Sequence, residues 1–136
     1  ALADRVRQVN PAARVHPVRA DLTRLSDADV DRHFGGVDLL VFATDSFPAQ
    51  ARGNEIALRL GTPAVWVGLS RGAGAGEVFF WHPGLRPCFR CALAGRYAAF
   101  DRAAAAGRPF DAPSDGADVF SLGVLDGVAG QVCLGL

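Results

Sequence analysis

The sequence predicts an α/β domain, a parallel or mixed sheet with helices packed on its faces. Two apolar runs carry this expectation. VDLLVFAT (residues 37–44) and PAVWVGL (residues 63–69) are nearly continuous in hydrophobic character, the pattern of strands buried on both faces. Between them lies a helical segment, with Pro48 tolerated in its first turn and Gly61 and Pro63 marking its end. The composition supplies a third observation. A chain of 136 residues, 50% hydrophobic and 21% charged, has the balance of a folded domain with one core.

Each element has its own warrant. Leu2, Val6 and Val9 fall at helical spacing over residues 1–9, and Asn10-Pro11 ends that pattern. ARVHPVR, residues 13–19, reads as a short strand, with Pro17 placing it at an edge. Ser26 is positioned to cap a helix over residues 27–34, with Asp27 and Asp29 in the first turn, where carboxylates suit the helix dipole. Gly35-Gly36 ends it. After the strand at 37–44, a helix is expected over residues 47–60, then the strand at 63–69. RGAGAG (71–76) is a turn, and EVFFWH (77–82) has the β-branched and aromatic character of a strand. A Pro/Gly/Cys loop at 83–91, an alanine-rich helix at 92–106 and a polar loop at 107–117 follow. A last helix is expected over 118–136, where Gly123, Gly127 and Gly130 would each cost up to ~1 kcal/mol in a helix interior. The opening ALADRVRQVNP reads as a helix already under way and the closing GQVCLGL as one not yet finished, so the domain is expected to be incomplete at both ends.

The charge balance narrows the function. There are 14 basic and 14 acidic residues, every basic one an arginine, and the net charge is zero. No basic surplus points to nucleic acid, and no basic run points to a membrane surface. No stretch reaches the ~20 apolar residues needed to span a bilayer, and the start lacks the basic region and cleavage site of a signal peptide. The 3 cysteines include a C-x-x-C pair, which favours metal or redox chemistry in a reducing, cytoplasmic compartment over a disulfide framework.

Two segments bear chemistry. In ATDSFPAQARGNE (43–55), Asp45 falls just past the carboxyl end of a strand, where open α/β sheets place their ligands. An acidic residue there can hold Mg2+ against a phosphate; the plainer reading is that Asp45 or Ser46 caps the helix that follows, and the two are compatible, because a capping residue at a strand end also faces the cleft. In HPGLRPCFRC (82–91), Cys88 and Cys91 suit half of a tetrahedral zinc site. Redox use is a rival reading, although Phe89-Arg90 is not a thioredoxin-like pair, and inert buried thiols are a third.

In order and spacing, the two segments together resemble the ThiF/MoeB-type adenylating enzymes, relatives of the ubiquitin-activating enzymes. The carriers are a strand ending in A-T-D-S, Asn54 nine residues after Asp45, a G-x-P-x-V strand (Gly61, Pro63, Val65), an extended G-x-V segment (Gly76, Val78) and P-C-F-R-C. The resemblance implies a Rossmann-like sheet with flanking helices, of which residues 1–136 form the C-terminal portion of an adenylation domain. It implies an enzyme that uses ATP and Mg2+ to adenylate the C-terminal carboxylate of a ubiquitin-like or sulfur-carrier protein. Asp45 would be the catalytic, magnesium-side carboxylate, with Asn54 beside it on the cofactor. Cys88 and Cys91 would be two of four ligands to a structural Zn2+. A homodimer is implied as well.

The chain also departs from that family. Its glycine-rich nucleotide loop and phosphate-contacting Arg and Lys have no match here, nor does the second zinc-binding C-x-x-C. An arginine often stands five residues after the aspartate; here it is Gln50, with Arg52 nearby. The crossover loop at 107–121 contains no cysteine for a thioester or persulfide, and Cys133 lies too late and reads as a packed residue. Two readings follow: part of an adenylating enzyme with no covalent intermediate on this segment, or a non-catalytic module that presents a peptide to a partner. An ordinary dinucleotide-binding segment would leave Cys88 and Cys91 unexplained.

Overall fold

The computed structural model describes residues 2–70, 75–110 and 119–135. Strands β1 (Leu40–Ala43), β2 (Ala64–Leu69) and β3 (Gly76–Trp81) form one sheet in the order β1-β2-β3. β1 and β2 are parallel, with Leu40 opposite Ala64 and Ala43 opposite Val67. β2 and β3 are antiparallel, with Ala64 opposite Trp81 and Gly68 opposite Glu77. The parallel pair requires a crossover, and helix α3 (Phe47–Leu60) supplies it. Pro48 sits in its first turn, and Gly61, at φ 61° and ψ 32°, closes it in the left-handed conformation that glycine adopts at no steric cost. The sheet is therefore mixed, small and flanked by helices, the α/β class expected.

Among the described residues the remaining helices are α1 (Leu2–Val9), α2 (Asp27–Phe34), α4 (Phe89–Ala92), α5 (Ala94–Ala105) and α6 (Val119–Leu134), with a 3-10 turn at Leu22–Arg24. Ser26 caps α2 as expected, its hydroxyl accepting the Asp29 N–H at 3.2 Å. Arg59 bridges Asp27 and Asp31 at 2.8 Å each, tying α3 to α2. These exposed pairs set register more than stability.

Side-chain alternation along the strands divides the core in two. On one face Leu40, Phe42, Ala64, Trp66 and Trp81 pack with Val30 of α2, Phe47, Ile56 and Ala57 of α3, Phe89 of α4 and Tyr97 of α5. On the other, Val65 and Val67 pack with Leu125 of α6, joined by Val78, Phe80, Ala129 and Cys133. Cys133 is thus a packing residue. The glycines of α6 do not prevent a helix, because burying Leu125 and its neighbours on the sheet outweighs their intrinsic cost.

Three expectations need correction. Residues 13–19 are irregular rather than a strand: no strand among the described residues lies beside them, and Pro17 lacks a ladder donor. The strand expected at 37–44 shortens to Leu40–Ala43 and is buried on one face only among the described residues, since α6 packs mainly on β2 and β3; Val41 is 52% exposed. The strand expected at 77–82 begins and ends one residue earlier, because Gly76, assigned to the turn at 71–76, already pairs in β3; Ser70 and Ala75 close the connection, with Ser70 N–H donating to the Ala75 carbonyl at 2.8 Å. Residues 71–74, and the 111–117 part of the polar loop, lie outside the described residues. Among the described residues no helix is long and apolar enough to cross a membrane.

Candidate functional site

Asp45 follows β1 by two residues, at the carboxyl edge shared by β1 and β2. The backbone on either side of it is fixed. Ser46 N–H donates to the Thr44 hydroxyl at 3.2 Å, and the side-chain amide of Gln50 donates to the Thr44 carbonyl at 2.7 Å. Gln50 is itself buried, and its carbonyl accepts the indole N–H of Trp66 at 3.0 Å. Asp45, in contrast, is exposed and has no hydrogen-bond or ion-pair partner among the described residues. The Ser46 side chain makes no cap bond to α3 either. The capping explanation open from the sequence is therefore not realised, and a free carboxylate is presented on a rigid loop. A lone carboxylate oxygen donor at a sheet's carboxyl edge fits a hard divalent cation such as magnesium.

The cysteines lie elsewhere. Cys88 precedes α4 and Cys91 lies within it, their sulfurs 3.5 Å apart. Two thiolates on one tetrahedral zinc, at ~2.3 Å each, stand roughly 3.7–3.8 Å apart, a little wider than the separation of this pair. Among the described residues no group of three or more His, Cys, Asp or Glu is placed to hold a metal; the pair supplies two coordination positions. Burial pushes the Cys88 thiol up, but hydrogen bonds from Cys91 and the Arg90 backbone outweigh it and bring it below the ordinary thiol value. Cys91 moves the other way, raised by its hydrogen bond with Cys88 and by the charge there. Beside them is a groove of about 660 Å³ walled by Leu58, Trp81, Leu85 and Pro87. The Trp81 indole N–H donates to the Leu85 carbonyl at 3.1 Å, holding the loop to β3.

Asn54 is buried in α3, and its side-chain oxygen accepts the Arg90 N–H at 3.5 Å. It faces the cysteine loop. Phe47 to Asn54 spans seven residues of α3, a rise of about 10 Å, and Asn54 meets the cysteine segment through the Arg90 N–H.

One pair at the Asp45 edge has no signal in the sequence. Glu77 of β3 and Arg96 of α5 form a two-point ion pair: one Arg96 nitrogen lies 3.0 Å from the Glu77 carboxylate and the other reaches its second oxygen. Arg96 also lies over the Phe47 ring, 5.9 Å from its centroid. The partners are 19 residues apart, and one arginine among 14 gave no reason to single it out.

The free aspartate at the sheet's carboxyl edge and the P-C-F-R-C segment packed through Phe89 on the face that carries α3 sit in a chain whose residues 1–125 match the ThiF family. The chain belongs to the ThiF family. Over 91 residues, this ThiF chain is 34% identical to the sulfur carrier protein adenylyltransferase of Thermus thermophilus, covering 64% of the chain and 32% of that protein. It spans about a third of that relative's length.

Proposed function

We propose that the full-length ThiF protein is an ATP-dependent adenylyltransferase that activates the C-terminal carboxylate of a sulfur-carrier or ubiquitin-like protein. In that reaction a carboxylate oxygen attacks the α-phosphorus of ATP, the bond to the β-phosphate breaks, and pyrophosphate leaves with the electron pair. Both reactants are anionic and repel each other, and further negative charge develops on the departing pyrophosphate. A divalent cation supplies charge neutralisation when bound, and Asp45 is the residue that would hold it. The observation that carries this reading is the free, exposed Asp45 carboxylate on its fixed loop in a ThiF chain. The name of the Thermus relative supports a sulfur carrier as the substrate. Cys88 and Cys91 would contribute half of a structural zinc site, holding the loop and α4 in place. Self-association into a homodimer is part of the same reading, checked by sedimentation of the full-length protein.

The test is carrier-dependent exchange of labelled pyrophosphate into ATP by the full-length protein. Asp45→Ala is expected to abolish it; unchanged exchange would sink the assignment. A second reading, a non-catalytic ThiF module that binds a partner's peptide, is favoured by one observation. Gln50 is buried and committed to the Thr44 carbonyl, so it offers no positive charge to a phosphate. Wild-type protein that binds a carrier yet exchanges no pyrophosphate would select that reading.

A further inference from the structure

We propose that Arg96 is the residue that receives the substrate's terminal carboxylate beside Asp45, and that Glu77 occupies its guanidinium until the substrate arrives. This rests on the adenylation reading for the identity of the substrate and on the geometry for the residue.

The placement comes from sheet register. Ala43 stands opposite Val67, and Gly68 opposite Glu77. One residue past the Ala43–Val67 pair, Thr44, Gly68 and Glu77 therefore lie level on the three strands, at the edge where Asp45 emerges. Side chains join them. The Gln50 amide that holds the Thr44 carbonyl lies 3.6 Å from where a Cβ at Gly68 would stand, and a Glu77 oxygen lies 3.3 Å from the same point. Any larger residue at 68 would crowd this meeting of Gln50 and Glu77. Arg96 reaches Glu77 from above while lying over Phe47, two residues beyond Asp45.

The chemistry of the pair suits exchange. A planar guanidinium gripping both oxygens of a carboxylate is the geometry in which arginine recognises any carboxylate, including that of a chain terminus. Glu77 is a stand-in of the right shape and charge. The side chains are 40% and 38% exposed, so a competing carboxylate can reach them and water can solvate Glu77 when it is displaced. Arg52 and Arg59 are engaged with Asp27 and Asp31 at α2, and Arg90 lies over Tyr97, so none of them duplicates Arg96.

The experiment uses full-length protein with two readouts: KM for the carrier in pyrophosphate exchange, and calorimetric binding of a peptide ending in Gly-Gly carboxylate against the same peptide amidated. Arg96→Gln is expected to raise KM by about tenfold or more and to abolish the preference for the acid over the amide. Glu77→Gln is expected to move the other way, lowering KM by about two- to fivefold by freeing the guanidinium, with the preference kept. A merely structural pair would make both variants worse in the same direction, and that outcome overturns the proposal. So does an acid preference that survives Arg96→Gln. Wild-type protein that binds the acid peptide through Arg96 but exchanges no pyrophosphate would defeat the adenylation reading and leave this assignment standing. Normal exchange with Arg96→Gln unchanged would do the reverse, and a wild type with neither exchange nor acid preference overturns both.

Discussion

The Phe89 ring lies flat against the indole of Trp66, with centroids 4.7 Å apart and planes 10° from parallel. Trp66 in turn stacks on Phe42, so a run of three rings passes from the cysteine loop through the middle strand to β1. Phe89 is 1% exposed and directly follows Cys88. The loop that carries the thiols is thus pinned to the sheet by an aromatic side chain. Phe89→Ala is expected to lower stability by about 3–5 kcal/mol, read by urea denaturation. Under native conditions both thiols should also react faster with a disulfide reagent, because α4 loses its anchor.

Two glycines in helices should respond in opposite directions to alanine. A Cβ at Gly53 would stand 2.7 Å from the Phe42 ring, which is itself held between neighbours in the core. Gly53→Ala is expected to cost about 1–3 kcal/mol. At Gly95 in α5 a Cβ would meet nothing within 4 Å. Gly95→Ala is expected to raise stability by up to about 1 kcal/mol through helix propensity alone. Thermal denaturation of both variants checks the pair; a stabilised Gly53→Ala would show that Phe42 can yield.

Tyr97 gives the protein an alkaline limit. Its hydroxyl is buried with no hydrogen-bond partner among the described residues, and burial pushes its pKa from 10.0 up to about 12. The unfolded chain therefore gives up this proton at lower pH than the folded one. Stability from this group is complete below pH 10.0 and is lost as pH rises through 10.0 towards 12. Tyr97→Phe removes that loss. It should also be neutral to stabilising at pH 7, by about 1 kcal/mol, because an unpaired buried hydroxyl is removed. Denaturation midpoints at pH 7 and at pH 10.5–11 test both parts, and a variant less stable at both would show that the hydroxyl has a partner.

For the cysteines the expected result is one zinc per full-length chain, measured by elemental analysis after purification without chelators. Cys88→Ser and Cys91→Ser should each reduce metal content and lower stability together. Zinc-free protein with full stability would show that the pair holds no structural metal.

Much of this fold could be read directly from residues. Ser26, Gly61 and Pro48 bound their helices where expected, because caps and breakers act locally. Val41 shows where such reading stops: an apolar strand residue announces burial, but whether a helix covers it depends on where α6 lies. ARVHPVR failed for the same reason, since a strand needs a neighbour that no local pattern supplies. At the candidate site, Asp45 stands out in the sequence because a position just past a strand has a physical meaning. Asn54 shared its motif yet faces the cysteine loop. Glu77 and Arg96 were invisible, because only the antiparallel turn of β3 and the placement of α5 bring them together.

The two tryptophans, finally, make the molecule its own optical instrument. Trp66 is hydrogen-bonded to Gln50, whose side chain steadies the loop before Asp45, while Trp81 is hydrogen-bonded to Leu85 in the cysteine loop. Both indoles are nearly buried, at 2% and 6% exposure, so their emission should be blue-shifted and sensitive to small displacements. Trp81 emission should follow the cysteine loop, whereas Trp66, bonded to Gln50 and stacked on Phe89, should respond to events at both ends. A signal shared by both indoles then marks the cysteine loop, and one confined to Trp66 marks the aspartate edge.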